Sequence, residues 1–250
     1  GGAADVGESA HAPEPDIVCF TNLHLPEKGD APTYFLSNDE YFGLRANVFG
    51  YADDHVRFSL LSKACLIWLL EQQERARNGQ DDAWLPDVIH CHDWHTAYFI
   101  DLARRNKRFS AALRNTPIVL TVHNFKFQGN GDFRHVPESE RDDGRSPLAP
   151  ITSPLLQKQN ALKRGILTAD AVTTVSPSHA IEVLTPEYAE GLEQTLLEAR
   201  GKLSGILNGI DTREFNPGTD SIIPKNYTGW SYVSARKTNK KMLQREFSLP

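Results

Sequence analysis

Short β-branched runs alternate with helical stretches along most of this chain, and that alternation limits the folds open to it. Strand-like runs fall at 16–20, 33–36, 87–92, 117–123, 171–176 and 205–207, and helical stretches at 96–105, 155–168, 178–184, 190–202 and 233–247. A further helix is expected after Asp53 and Asp54, which can cap it. It carries Val56, Leu60, Ala64, Ile67 and Trp68 on one face and ends at Arg75 and Arg77. Parallel neighbours need a crossover long enough to hold a helix, so strands that alternate with helices build βαβ units. The expected class is α/β, a parallel sheet with helices on both faces. Two polar stretches interrupt the pattern: 130–154 reads as a long mobile loop, and 215–228, rich in Gly and Pro, as the start of a second lobe.

Charge and apolar content exclude several partners. With 27 Lys+Arg against 32 Asp+Glu and no basic cluster, the chain has no surface for neutralising a run of phosphates, so nucleic acid is not expected. No apolar run reaches the roughly 20 residues that cross a bilayer. The opening segment is small and acidic where a signal peptide is basic and then apolar, which points to an intracellular protein. Cys19, Cys65 and Cys91 stand alone between apolar neighbours and read as buried thiols, not as a disulfide framework or zinc site.

In an open α/β sheet the ligand lies beyond the carboxyl ends of the strands. Here those ends run out into Asp93, Trp94 and His95; into Asn124 and Gln128; into Ser176; and into Asn208, Gly209 and Asp211. Such a set of hydrogen-bonding groups with little net charge suits a polyhydroxylated ligand. The densest cluster, His90, His92, Asp93 and His95, invites a metal reading, as in a His/Asp metallohydrolase. However, its order HxHDxH differs from the HxHxDH of the metallo-β-lactamase type, and few remote ligands stand out to complete it, so no metal is assigned. His90 and His92 read as core-facing histidines bonded to backbone, with His95 at a helix start. Asp93 is open between capping that helix and holding a substrate hydroxyl. His123 is open between a satisfied core histidine and a functional one, and Tyr51 is among the aromatics able to stack on a sugar.

The order and spacing of several segments resemble bacterial glycogen synthases and plant starch synthases, glycosyltransferase family 5. These are YFG at 41–43, GYADD at 50–54, RF at 57–58, DVIHCHDWHTA at 87–97, TVHNFKFQG at 121–129, LKRGILTADAVTTVSPSHAIEVLTPEYAEGLE at 162–193, LSGILNGIDTREFNP at 203–217 and NKKMLQREFSLP at 239–250. The resemblance implies a Rossmann-like version of the sheet within the two-lobe, B-type glycosyltransferase architecture. Residues 1–204 would form the acceptor-side lobe and 205–250 the start of the donor lobe. It implies transfer of glucose, with retention, from a nucleoside diphosphate glucose to the non-reducing end of an α-1,4-glucan. ADP-glucose is favoured over UDP-glucose, and no cofactor is required. It places Asp93 and His123 at the chemistry, and Asn124, Asn208, Tyr51 and Gln128 among substrate-binding residues. Gly1 and Gly2 correspond to the remnant of a glycine loop that grips the donor phosphates. It implies a cytoplasmic enzyme, or a plastid one in a plant or alga. The family's lysine in that loop and its donor-lobe phosphate clamp have no counterpart in these 250 residues, so the chain alone is expected to transfer little glucose. A glucan-binding or scaffolding module without transfer activity is the alternative.

Overall fold

The computed structural model describes residues 18–21, 34–80, 84–129 and 136–250; Gly1 and Gly2 lie outside the described residues. The chain divides into two compact units, one up to Ile206 and one from Leu207 onward.

In the first unit, strands β1 (Val18–Thr21) and β2 (Tyr34–Ser37) form a separate antiparallel pair. The other four strands, β3 (Ile89–His92), β4 (Ile118–Val122), β5 (Ala171–Thr174) and β6 (Leu203–Gly205), form a parallel sheet in the order β3-β4-β5-β6. The helices are α1 (Asp54–Arg77), α2 (Asp93–Arg105), α3 (Lys107–Ala112), α4 (Ala161–Thr168), α5 (Pro177–Glu182) and α6 (Glu193–Ala199). Parallel order with chain order preserved puts every strand's carboxyl end on one edge, which is what collects the site.

The register pairs Cys91 with Leu120 and Leu120 with Val172, so these three side chains share one face. With Ile118 and Val122 they form the floor of the core under α2 and α4. Burying each such side chain contributes about 1.5–3 kcal/mol. At the α2–α4 contact the backbones approach closely: a Cβ on Gly165 would lie 2.7 Å from the Ala97 Cβ and 3.2 Å from Leu120 Cδ2. Only glycine fits there.

Three expectations are corrected. The last strand lies at Leu203–Gly205, not 205–207; Ile206 and Leu207 are 62% and 70% exposed, so their apolar character does not mark sheet. Residues 136–154 are anchored, not a mobile loop. Asp142 accepts from Arg164 Nε (2.8 Å) and Nη2 (2.7 Å) and from Asn160 N (2.8 Å), and Arg145 bonds Glu198 (2.6 Å). Third, Asp53 occupies the N-cap position of α1 without a side-chain capping bond, because its carboxylate pairs with Arg45 (2.7 Å). Asp54 instead takes the backbone N–H groups of Gly50 (2.6 Å) and Tyr51 (3.1 Å).

The second unit holds helix α7 (Tyr232–Glu246) behind a series of turns. Asn239 clasps Lys225 from the helix, its Oδ1 accepting from the Lys225 N–H (2.8 Å) and its Nδ2 donating to the Lys225 carbonyl (2.9 Å). Among the described residues no helix is long and apolar enough to cross a membrane.

Candidate functional site

The carboxyl edge brings the β3 and β4 exits together. Asp93 follows β3 directly, and its Oδ1 accepts a hydrogen bond from the main-chain N–H of His123 (2.7 Å), the residue that follows β4. Through Oδ1 the Asp93 carboxylate ties one strand exit to the next, and it is not the N-cap of its helix, a position held by His92. The tie is made in a strained backbone. Asp93 has φ +55°, a left-handed conformation that costs a non-glycine residue roughly 1–2 kcal/mol. Strain of that kind persists where surrounding bonds over-determine it.

His90 and His92 are corrected. They are exposed rather than core-facing, and they bond to side chains rather than to backbone. Alternation along β3 turns Cys91 toward the helices, so both histidines stand on the reverse face with Thr121 and Thr173. His90 Nε2 lies 2.6 Å from Thr121 Oγ1, which lies 2.6 Å from Thr173 Oγ1. His92 Nδ1 lies 3.1 Å from His123 Nε2. Partial desolvation by the packed neighbours, and then the imidazoles of His90 and His123, hold His92 below the usual histidine range. Among the described residues no group of three or more His, Cys, Asp or Glu side chains is arranged to hold a metal ion.

The other expected residues have different surroundings. Asn124 is exposed, and its Oδ1 accepts from Lys126 N (3.0 Å), which shapes the turn after β4. Gln128 is buried and its amide is committed: Nε2 donates to the carbonyls of Phe125 (3.1 Å) and Glu190 (2.9 Å), and Oε1 accepts from Asn160 (2.6 Å). Its geometry is that of an internal brace, not of a side chain offered to a ligand. Next to it, Gly129 has φ +107° and lies so close to Trp94 that an added Cβ would meet the indole at 2.9 Å. Trp94 itself is buried in the core, and His95 stacks on it with 4.2 Å between ring centres. Ser176 caps α5, its Oγ accepting from His179 N (3.2 Å).

Tyr51 sits just before α1, half-buried, with its hydroxyl accepting from Asn47 N (2.9 Å). The guanidinium groups of Arg45 and Arg57 lie 5.1 and 5.0 Å from its ring centre. Arg57 is buried, bonding Asp54 Oδ1 (2.6 Å) and the Tyr41 carbonyl (2.6 Å). This pair fixes the loop that carries Tyr51. The same loop reaches the start of α2, where the Phe49 and His95 rings are 6.2 Å apart. Sequence reasoning quoted the GYADD segment and RF at 57–58 as motifs but gave Arg57 no role. Its signal was an arginine one turn after an aspartate on a largely apolar helix face. Asn208 lies in the second unit and is exposed.

Comparison with known proteins adds the following. A model of the starch synthase catalytic domain matches residues 6–198. The glycogen synthase of Lactobacillus acidophilus is 36% identical over 220 residues, covering 87% of this chain and 43% of that protein. That of Oceanobacillus iheyensis is 38% identical over 231 residues, covering 91% and 43%. Among solved structures, the catalytic domain of starch synthase IV from Arabidopsis thaliana, bound to ADP and acarbose, matches with a TM-score of 0.62 and 32% identity. That match covers 86% of this chain and 42% of the other. The chain thus spans less than half the length of these relatives.

Proposed function

Given that this chain belongs to the starch synthase catalytic-domain family, we propose that the protein acts in transfer of glucose from a nucleoside diphosphate glucose to the non-reducing end of an α-1,4-glucan. ADP-glucose is the favoured donor, in keeping with the ADP bound to the Arabidopsis relative. Residues 1–204 serve as the acceptor-side lobe and 205–250 as the beginning of the donor lobe. The reaction breaks the bond between glucose C1 and the nucleotide's terminal phosphate oxygen and forms one from C1 to the acceptor hydroxyl oxygen. The configuration at C1 is retained, and the departing phosphate takes the acceptor proton.

One observation carries this reading: the 2.7 Å bond by which Asp93 joins the β3 and β4 exits. It supports a single site in which the main-chain carbonyl and imidazole of His123 meet the donor glucose as positive charge develops, while Asp93 orients the acceptor hydroxyl. Asn124 and Asn208 are substrate-binding residues in this reading, and Tyr51 stands on the acceptor side. Gln128 contributes by holding the turn after β4. The test is the rate of labelled glucose incorporation into glycogen from ADP-glucose and from UDP-glucose, on protein carrying both lobes. Asp93→Ala and His123→Ala are each expected to lower kcat by on the order of 100-fold or more with little change in melting temperature. Undiminished transfer in both variants would refute the assignment. Retained maltooligosaccharide binding by a wild type that transfers no glucose would favour the binding-module alternative.

A further inference from the structure

Two consecutive residues hold His123 at two different points. Asp93 Oδ1 takes its main-chain N–H (2.7 Å), and His92 Nδ1 meets its ring at Nε2 (3.1 Å). The His92 and His123 rings lie 5.4 Å apart at 31°. Behind His92 the ring of His90 lies 4.3 Å away, and His90 is tied through Thr121 to Thr173. His123 is therefore the end of a side-chain chain that crosses three strands, β5, β4 and β3, and returns to β4. The proposed chemistry uses none of the residues behind it.

We propose that His92 is a positioning residue for His123, holding its imidazole in one rotamer and one tautomer. The hydrogen bond between two neutral imidazoles admits a single proton, so one nitrogen donates and the other accepts. A fixed role at His123 Nε2 fixes the role of Nδ1 on the same ring. Nδ1 and the main-chain carbonyl of His123 have no bonding partner among the described residues. They are the two groups left for a sugar hydroxyl. The depressed His92 basicity favours the neutral form that the bond requires. Because all three histidine rings stand on the exposed side of the sheet, removing His92 opens no core cavity. A purely structural role would show as lost stability instead.

This inference rests on the proposed role of His123, and its test separates the two. Long-range proton–nitrogen spectra of the 15N-histidine-labelled 250-residue chain report the tautomer of each ring without any turnover. The expected result is one tautomer for His123 in the wild type, exchange between both in His92→Leu, and restoration in His92→Asn, whose side-chain amide stands where Nδ1 stood. On protein carrying both lobes, His92→Leu is expected to lose roughly tenfold or more in kcat, with the melting temperature held and His92→Asn recovering most of the rate. A mixed His123 tautomer in the wild type, or one unchanged in His92→Leu, overturns the positioning role. If His92→Leu does not fold, the wild-type and His92→Asn spectra decide. A tautomer that is locked by His92 while His123→Ala transfers glucose normally leaves the clamp standing and refutes the function proposed for His123.

Discussion

Replacing Arg164 by methionine isolates the ion pair that anchors residues 136–154. The guanidinium is fully buried, pairs with both oxygens of Asp142, donates to the Ser146 carbonyl (2.6 Å) and lies 3.7 Å from Asp101 Oδ1. Methionine fills much of the same apolar volume, so the change removes charge and hydrogen bonds without leaving a large void. Asp142 and Asp101, with side chains 4% and 1% exposed, then lose their shared cation. Asp142 keeps the Asn160 N–H and Asp101 keeps Arg105 (2.9 Å). Breaking a buried pair from one side costs about 3–5 kcal/mol, a large part of the roughly 5–15 kcal/mol that holds a domain together. With a urea slope of about 2 kcal/mol/M, the midpoint falls by about 2 M. Adding Asp142→Asn removes the stranded charge, so the double variant is expected to lose less than the two single losses combined. Burial already raises the Asp101 carboxyl. A group bound more tightly to its proton in the folded state favours folding as pH falls toward its unfolded value, so the Arg164→Met deficit narrows between pH 7 and pH 5. Urea titrations followed by circular dichroism at both pH values measure each quantity. A loss under about 1 kcal/mol, or strict additivity in the double variant, would show that the pair does not anchor the loop.

Three further outcomes follow from the same geometry. Gly165→Ala should cost about 1–3 kcal/mol in thermal or urea unfolding, because its methyl group enters the space of Ala97. Cys91, whose thiol burial pushes up to about 12, should stay unlabelled by iodoacetamide at pH 8 in the folded chain and react fully in urea, as read by peptide mass spectrometry. His92, depressed by partial desolvation and by its histidine neighbours against the opposing charge of Asp93, should leave stability unaffected above about pH 6.5 and cost stability as pH falls from there through its folded value. Melting curves from pH 7.5 to 5 should therefore fall more steeply for the wild type than for His92→Asn.

What could be read from the sequence depended on whether the signal was local. The parallel strands and the polar residues at their ends were legible, because β-branched runs and HDWH or TVHN exits are written in consecutive residues. Which face of β3 is covered was not. Period-two alternation puts His90 and His92 together and Cys91 opposite, but the helices that choose between the two faces come from elsewhere in the chain. The loop at 136–154 misled for a related reason. Asp142 and Arg164 are 22 residues apart and count as solvated charges in any local window, yet they bury each other. Gln128 looked available to a substrate because a side-chain amide at a strand exit is a good ligand. Its partners Glu190 and Asn160 lie 62 and 32 residues away.

These hidden pairings together explain how the edge is kept in place. From Arg164 the bonds run through Asp142 to the Asn160 main chain, and from the Asn160 side chain to Gln128, which holds the Phe125 carbonyl two residues past His123. From the other side, His92 and Asp93 hold His123 directly. Buried polar groups carry a desolvation cost that is recovered only when each is paired, so every link in this path constrains the next. The result is a turn at 123–128 fixed at both ends, with the His123 carbonyl left without a protein partner among the described residues. Groups held still before a ligand arrives need not be reorganised when charge develops, and that is the condition under which a few neutral donors and acceptors stabilise a transition state. A buried salt bridge whose two partners lie 19 and 41 positions along the chain from His123 is, on this argument, part of what keeps the site in register, and its loss should broaden the His123 resonances before it unfolds the domain.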